Sequence, residues 1–410
     1  MPIEIRPAEA AFAGLTKVSR YPSPDRDGAR YLPYPDVQHS PKFTISRSDK
    51  ILTIGSCFAR NIERALRNLN LNVVRSKTSG LEGLTDIANK YTTRSILADL
   101  RLALSDEPVT DEMLLRSINV NAQGLARNLA LGGMGAAGAK GHPLDQVLKV
   151  SREFINVIAQ ARDADLIILT FGLVEIWYDR EVGIYLNIPP MYNEVRRQPG
   201  RYELHVLSYE DLRADMIEIF NLIFAKGKPG VKILATISPV PLHTTFRDQD
   251  CLQANSYSKA VQRAALEEVL GKFDNVHYFP SYEMVSLAAP SVAWVDDDFR
   301  HVRPEMVDRI MRKVIFTYLG DLDALPPEKD VLKRLLAAKG YGRIVATVDR
   351  YLAASGKTAA GCPLFIQYYY GASCLALGRT AEGLALIDLV LQANPAHPNA
   401  NKLRVSHSAA

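Results

Sequence analysis

The chain has 410 residues, 47% of them hydrophobic, and carries 49 Lys and Arg against 45 Asp and Glu, for a net charge of +4. That length can bury a full core and leads us to expect two domains, while a faint basic excess with no Lys/Arg run argues against nucleic-acid binding. Four widely spaced cysteines (Cys57, Cys251, Cys362, Cys374) without paired metal spacing, a start with no charged-then-apolar leader, and no apolar run of about 18 residues together predict a soluble cytoplasmic protein with no membrane span.

Residues 1–48 hold Tyr21-Pro-Ser-Pro and Tyr31-Leu-Pro-Tyr-Pro, turn and extended signals that read as an irregular arm lying on a domain. Lys50-Ile-Leu-Thr-Ile-Gly55 then reads as a buried strand. It breaks at the glycine and turns into an amphipathic helix, with Phe58, Ile62, Ala65 and Leu66 at helical spacing. Ser56 and Cys57 therefore fall at a sheet's carboxyl edge and at the positive end of a helix dipole, where anions and thiolates are stabilised. The plainer alternative makes Ser56 the N-cap of an ordinary first βα turn.

A second strand is expected from Leu71 to Arg75, then a polar loop ending in Asn89-Lys-Tyr91-Thr-Thr, then a helix from Arg94 to about Leu104. Residues 119–141 are low in complexity and include Gly133-Met-Gly135-Ala-Ala-Gly138, formally G-x-G-x-x-G. No strand precedes it, and Gly141-His142-Pro143 stops a helix from starting there, so a flexible loop is expected rather than a phosphate cradle. A helix from Leu144 to Ala161 leads to the strongest strand, Leu166–Phe171, running into Gly172-Leu-Val-Glu175-Ile-Trp177. Next come a hairpin near Gly183, a proline-containing loop, a helix over Tyr209–Ala225, and a strand from Val231 that ends in Ser238-Pro-Val-Pro-Leu242. A helix over Ser256–Leu270, a strand at Val276–Phe279, the loop Asp296-Asp-Asp298-Phe-Arg-His301 and a last helix, Pro304–Tyr318, complete this part. Strands alternating with helices predict a parallel sheet covered on both faces, with function at the strands' carboxyl ends.

From about Leu322 the chain turns rich in alanine and leucine, with helices predicted at Lys329–Lys339, Arg343–Ala354, Phe365–Leu377 and Ala381–Gln392. Gly371, Leu377-Gly378, Ile387 and Pro395 fall in the register of a tetratricopeptide repeat, so a small helical-hairpin appendage is expected. A helical cap on the preceding domain is the alternative. The predicted division is an arm at 1–48, an α/β domain at 49–320 and a helical TPR-like region at 321–410.

Asp298-Phe-Arg-His301 is the sharpest pair of chemical groups. Along one turn the carboxylate can reach the far imidazole nitrogen, set its tautomer and stabilise the imidazolium, which suits His301 as a base toward a small nucleophile. Alone, the pair with Asp296 and Asp297 reads rather as a solvated acidic loop with an incidental histidine; with Ser56 and Cys57 it becomes a candidate Ser/Cys–His–Asp triad. His243 either lines the site or sits on a surface loop, and Glu175 and Trp177 either contact substrate or, for the tryptophan, cap the sheet. His39, His142, His205, His277, His397 and His407 have no partner spacing. With no H-E-x-x-H and no C-x-x-C, neither a metal nor a cofactor is expected.

Gly55-Ser56-Cys57-Phe58-Ala59, Asn89-Lys-Tyr91-Thr-Thr-Arg94, Thr170-Phe-Gly172-Leu-Val-Glu175-Ile-Trp177, Ser238-Pro-Val-Pro-Leu242, Ser256-Tyr-Ser-Lys259, Tyr278-Phe-Pro-Ser-Tyr282-Glu283 and Asp297-Asp298-Phe-Arg-His301-Val occur in this order over roughly residues 45–315. Together they resemble the GSCFA domain, which is similar to SGNH (GDSL-like) hydrolases. The resemblance implies a flavodoxin-like three-layer α/β sandwich with a mainly parallel sheet, and ester hydrolysis or acyl transfer, often on carbohydrates. It implies a nucleophile in the first motif and the Asp-x-x-His at Asp298 and His301. Superimposing Gly-Asp-Ser on Gly55-Ser56-Cys57 puts Cys57 at the nucleophile's position, though Ser56 remains open. Where that superfamily offers an asparagine donor in its third motif, this chain has Val174, so one oxyanion donor is missing or supplied elsewhere, with Asn89 the candidate.

The expectation is thus an esterase or O-acyltransferase acting on a small-molecule or glycan substrate. Its catalytic residues are Cys57 or Ser56, His301 and Asp298, with Gly55, Asn89, Gly172, Glu175, Trp177 and Ser238 around the substrate. The rival expectation is a non-catalytic glycan- or acyl-ligand-binding protein whose C-terminal helices dock a protein partner.

Overall fold

The computed structural model describes residues 2–68, 71–74, 89–131, 141–319, 326–327 and 329–408. The polar loop before Asn89 and the glycine-rich 132–140 stretch lie outside the described residues. The chain divides into two compact units, Met1–Val314 and Ile315–Ala410.

Nine strands occur among the described residues: β1 (Ile51–Gly55), β2 (Ile118–Val120), β3 (Ala126–Asn128), β4 (Leu166–Phe171), β5 (Glu175–Asp179), β6 (Ile184–Leu186), β7 (Tyr202–Val206), β8 (Lys232–Ile237) and β9 (Val276–Tyr278). A parallel sheet runs in the order β1-β4-β8-β9, with Ile51 opposite Leu166 and Leu166 opposite Lys232. Every residue of β1 and β4 is buried. That is why both strands read in the sequence as nearly continuous apolar runs, interrupted only by the buried Thr53 and Thr170, rather than alternating ones.

On one face Leu52, Ile54, Ile167, Leu169, Phe171, Ile233 and Ile237 share a core with the helices Thr93–Ala103, Leu144–Ala159, Tyr209–Lys226 and Cys251–Leu270. On the other, Ile168, Leu234 and Thr236 meet Ile62 of the helix Cys57–Asn68 and Ile310, Met311 and Val314 of the helix Pro304–Tyr318. The unit is a mixed α/β fold with helices on both faces of a parallel sheet.

Several elements differ from the sequence expectation. Of the strand expected from Leu71, the described residues retain a single parallel bridge, Val73 to Ile51, on the edge of β1 that β4 leaves open. The hairpin near Gly183 forms between β5 and β6, and β7 adds to the other edge of β5 inside what reads as a loop. Its Tyr-Glu-Leu-His-Val alternates without an apolar run, and all its residues are only half-buried. The two-stranded ribbon of β2 and β3 lies in the low-complexity stretch, and three residues per strand are too few to show a period. The helix Cys251–Leu270 starts before Ser256 because the Asp250 carboxylate caps it, accepting the Leu252 N–H at 2.7 Å.

Residues 2–48 hold only short helical turns. From Pro33 onward this arm lies on the α/β fold through the Ala289 N–H to the Pro33 carbonyl (3.0 Å), Arg309 over the Tyr34 ring, and an Asp36–Lys313 ion pair. The second unit contains the helices Lys329–Ala337, Tyr341–Ser355, Leu364–Ala376, Thr380–Ala393 and Pro398–Ser408, the last not anticipated. Leu332, Ile344, Val348, Tyr351, Ile366, Tyr370 and Cys374 are buried among them. Among the described residues no helix is long and apolar enough to cross a membrane.

His277 on β9 packs against His39 and Phe43, with ring centroids 5.7 and 6.2 Å away. Burial, reinforced by the His39 and Lys42 charges, pushes its imidazole down to about 4. The unfolded chain binds that proton near ~6.5, so this contribution to stability is intact above ~6.5 and lost as pH falls toward 4. In urea titrations at about pH 7 and about pH 5, the midpoint should drop less in His277→Gln than in the wild type. Equal drops in the two proteins would remove His277 as the cause.

Candidate active site

Gly55 ends β1 at φ +150°, where a Cβ would stand 1.8 Å from Thr170 Oγ1 and 2.6 Å from the Thr170 carbonyl oxygen. Only glycine fits. The chain turns there, and Ser56 caps the helix Cys57–Asn68: its hydroxyl accepts the Phe58 N–H at 3.3 Å and shares a hydrogen bond with the Ser238 hydroxyl at 3.0 Å. The Ser56 N–H donates to Thr170 Oγ1 at 3.2 Å. Ser56 is 4% exposed, whereas Cys57, the first helical residue, is half-buried.

Cys57 lines a cavity of about 540 Å³. Residues just past the ends of three parallel strands border it: Ser56 and Cys57 after β1, Gly172 and Leu173 after β4, Ser238 and Val240 after β8. Asn89, Glu175, Trp177, His243 and His301 line it as well. The candidate residues, drawn from distant segments, therefore meet at one place, with Gly55 forming the turn beside it and Asp298 behind His301.

Asn89 pairs with Gly55 through a parallel bridge, and its carbonyl accepts the Asn187 side-chain N–H at 2.8 Å. Asn187 Oδ1 in turn accepts the Tyr91 N–H at 3.1 Å, so one amide holds the whole Asn89–Tyr91 segment at the cavity. The intervening Lys90 side chain is buried with the Asp99 carboxylate at 2.6 Å. Burial pushes the Asp99 carboxyl up to about 6 against the pull of Lys90. The Glu175 carboxylate accepts the Thr245 hydroxyl at 2.7 Å and the Phe246 N–H at 3.0 Å, and the Trp177 ring meets Phe246 edge-on at 5.1 Å. Both side chains thus fasten the loop after Leu242 at the rim of the cavity.

His301 is held by a folded-back loop in which Trp294 bridges Val302 and the Val295 N–H meets the His301 carbonyl at 3.0 Å. Asp298 Oδ1 accepts the backbone N–H groups of His301 (2.9 Å) and Arg300 (3.0 Å), and its Oδ2 accepts His301 Nδ1. The His301 and Arg300 N–H groups hold the Asp298 carboxyl well below the usual carboxylate range. Between them Phe299 adopts φ +47°, a left-handed conformation that costs about 1–2 kcal/mol for a side chain with a Cβ. With Nδ1–H donating to Asp298, the neutral ring presents its lone pair at Nε2, where Arg300 donates from 3.2 Å.

Sequence reasoning missed Asn187, Arg300 and above all Lys259. The Lys259 side chain is 1% exposed, and its ammonium donates to the carbonyls of Gly172 and Val240, both at 2.7 Å. Burial pushes it down to about 7, while Cys57 acts in the opposite direction. A signal was present: Lys259 lies beside Ser258 and Gln262 on the stripe of Ala254, Ala265, Leu266 and Val269 that faces inward. A lysine on a helix's inner stripe is rarely buried without purpose.

A family model described as the GSCFA family matches residues 50–314. The chain belongs to the GSCFA family. The GSCFA domain contains every residue that lines the cavity, and the helical unit after Val314 lies outside the match. No curated protein and no solved structure matches the chain. Among the described residues of the GSCFA domain and beyond it, no group of three or more His, Cys, Asp or Glu could hold a metal ion.

Because the Gly55 turn has no room for a methyl group, Gly55→Ala should destabilise the GSCFA domain by at least about 1–3 kcal/mol. Gly342→Ala, at a helical position with nothing within 4 Å, should leave stability unchanged or raise it by about 0.5–1 kcal/mol. Chemical denaturation of both variants checks this, and a wild-type midpoint in Gly55→Ala would refute it.

Proposed function

We propose that this GSCFA-family protein is an SGNH-like acyl-transfer enzyme, an esterase or O-acyltransferase, with Cys57 as nucleophile. The observation that carries the reading is that Cys57, at a helix N-terminus, and His301, backed by Asp298, line one cavity although they are far apart in the chain. Cys57 is preferred to Ser56 because the Ser56 hydroxyl is buried and bonded to Phe58 and Ser238. The bridge of Val73 beyond β1 supports a flavodoxin-like strand order, in which ligands sit at the strands' carboxyl ends.

In this mechanism Cys57 Sγ attacks the acyl carbon, and the oxyanion is received by N–H groups at the helix N-terminus, with the Asn89 amide supplying the donor that Val174 lacks. His301 Nε2 first takes up a proton, from the Cys57 thiol or from solvent, gives it to the leaving oxygen and then takes one from the accepting water or hydroxyl, while Asp298 keeps the Nδ1–H in place. Arg300 gives up its bond to Nε2 as substrate enters. Leu173, Ile176, Leu186, Ile188 and Leu242 make much of the lining apolar, which suits an acyl chain. The acceptor implied by the family resemblance is a carbohydrate hydroxyl. Widely spaced cysteines and a working thiolate suit a reducing compartment, the cytoplasm.

The second reading is a binding protein that holds an acyl or glycan ligand and docks a partner through a TPR-like helical unit. Val174 in place of an asparagine donor favours it, as does the engagement of His301 Nε2 by Arg300.

Intact mass and p-nitrophenol release after brief exposure to p-nitrophenyl acetate separate the two. An acetyl adduct on Cys57, absent in Cys57→Ala and retained in Ser56→Ala, is expected, with turnover reduced about 100–10,000-fold in His301→Ala. Loss of the adduct in Ser56→Ala alone would move the nucleophile to Ser56. No adduct and no release across a series of ester chain lengths would favour the binding protein.

A further inference from the structure

Lys259 poses a physical problem that the triad leaves unsolved. Its ammonium is buried beneath the cavity, and both of its hydrogen-bond acceptors are neutral carbonyls, those of Gly172 and Val240. The Gln262 amide donates to the same Gly172 carbonyl at 3.1 Å and so brings no negative charge. A buried cation held only by neutral dipoles is expensive unless an anion lies nearby.

Gly172 and Val240 both line the cavity, as does Cys57. The helix that Cys57 begins directs its positive end toward the same place. The other ionisable groups lining the cavity are Tyr91, Glu175, His243, Arg300 and His301. Of these only Glu175 is ordinarily anionic, and both its oxygens accept hydrogen bonds from the loop after Leu242. Cys57 is also the group whose charge favours the Lys259 ammonium against burial. By reciprocity that ammonium favours the Cys57 thiolate.

We infer that Lys259 is the positioning residue that ionises the nucleophile: its buried ammonium is the counter-cation of a Cys57 thiolate, each charge sustaining the other. The thiol proton leaves to solvent through the cavity and Lys259 keeps its own, while His301 Nε2 takes up from solvent the proton that it gives to the leaving oxygen and regains one from the accepting water or hydroxyl. His301 is then not needed to deprotonate Cys57, and the protons it handles are those of the leaving and accepting oxygens. This division of labour also fits a histidine whose side chain is half exposed while the lysine is fully enclosed.

The inference rests on the reading of Cys57 as nucleophile, yet its test does not depend on turnover. Iodoacetamide alkylation of Cys57 is followed by mass spectrometry as a function of pH in the full-length protein. The expected wild-type midpoint lies below the ordinary thiol value of ~8.5. In Lys259→Met and in Lys259→Gln, each checked for folding by thermal unfolding, the midpoint should rise by about 1–3 pH units. The alkylation rate near neutrality should fall about tenfold or more, while Lys259→Arg, which keeps a cation, should remain near the wild type. A wild-type midpoint at or above the ordinary value overturns the inference without any variant. So does a midpoint that stays put in the folded Lys259 variants, or one that follows His301→Ala instead. A shifted thiol in a protein that turns over no ester would leave the Lys259–Cys57 pair standing and dismiss the enzyme.

Discussion

The contact on which the site depends is the approach of Gly55 to Thr170 across the first two strands of the parallel sheet. A Cβ at position 55 would come within 1.8 Å of the threonine hydroxyl, so the backbone can cross there only as glycine. The crossing has two effects at once. It ends β1 abruptly, and it aims the next N–H at Thr170 Oγ1, which sets the first turn of the following helix at the sheet's edge. Cys57 owes its position at a helix N-terminus to that turn, and the chemistry proposed for it depends on that placement.

Around this point the walls of the cavity are tied together by buried polar groups rather than by hydrophobic packing alone. Ser56 to Ser238 links the ends of β1 and β8. Lys259 links the segments after β4 and β8 through the Gly172 and Val240 carbonyls, and Asn187 fixes the Asn89–Tyr91 segment. Glu175 holds the loop after Leu242. Each such group carries a desolvation penalty, which its hydrogen bonds near the strand ends offset at least in part, where regular sheet partners run out. Directional bonds of this kind hold loops more exactly than apolar contacts do, which is what a site assembled from separate strands requires.

The histidine loop is built differently. Asp298 gathers two backbone N–H groups and the imidazole Nδ1, and the turn closes only because Phe299 accepts a left-handed conformation. That strain is small against the three hydrogen bonds it allows, and it makes Asp298, Arg300 and His301 a locally self-sufficient unit. The site therefore joins a rigid wall, made by strand ends and a buried lysine, to a preformed but solvent-facing histidine.

Much of this was legible in the sequence. The apolar runs Ile51–Ile54 and Leu166–Phe171, the glycine that ends the first, and the Asp298–His301 spacing are local features, and local sterics and hydrogen bonding impose the same structure wherever they occur. The short strands β2, β3 and β7 were not legible, because half-exposed ribbons take their pairing from neighbours rather than from their own pattern. Three matters became visible only in the tertiary structure: the different surroundings of Ser56 and Cys57, the anchoring role of Glu175, and the burial of Lys259 behind the Gly172 and Val240 carbonyls. Two adjacent small side chains look alike in sequence, and only the helix start leaves Ser56 buried against Ser238 and Cys57 half-buried where both border the cavity. The inward stripe of the helix hints that Lys259 is buried, but its partners are known only once strand ends from elsewhere in the chain supply carbonyls for its ammonium. The sequence by itself determined the local geometry, and the tertiary fold decided the charges, because burial and partners exist only once distant segments meet.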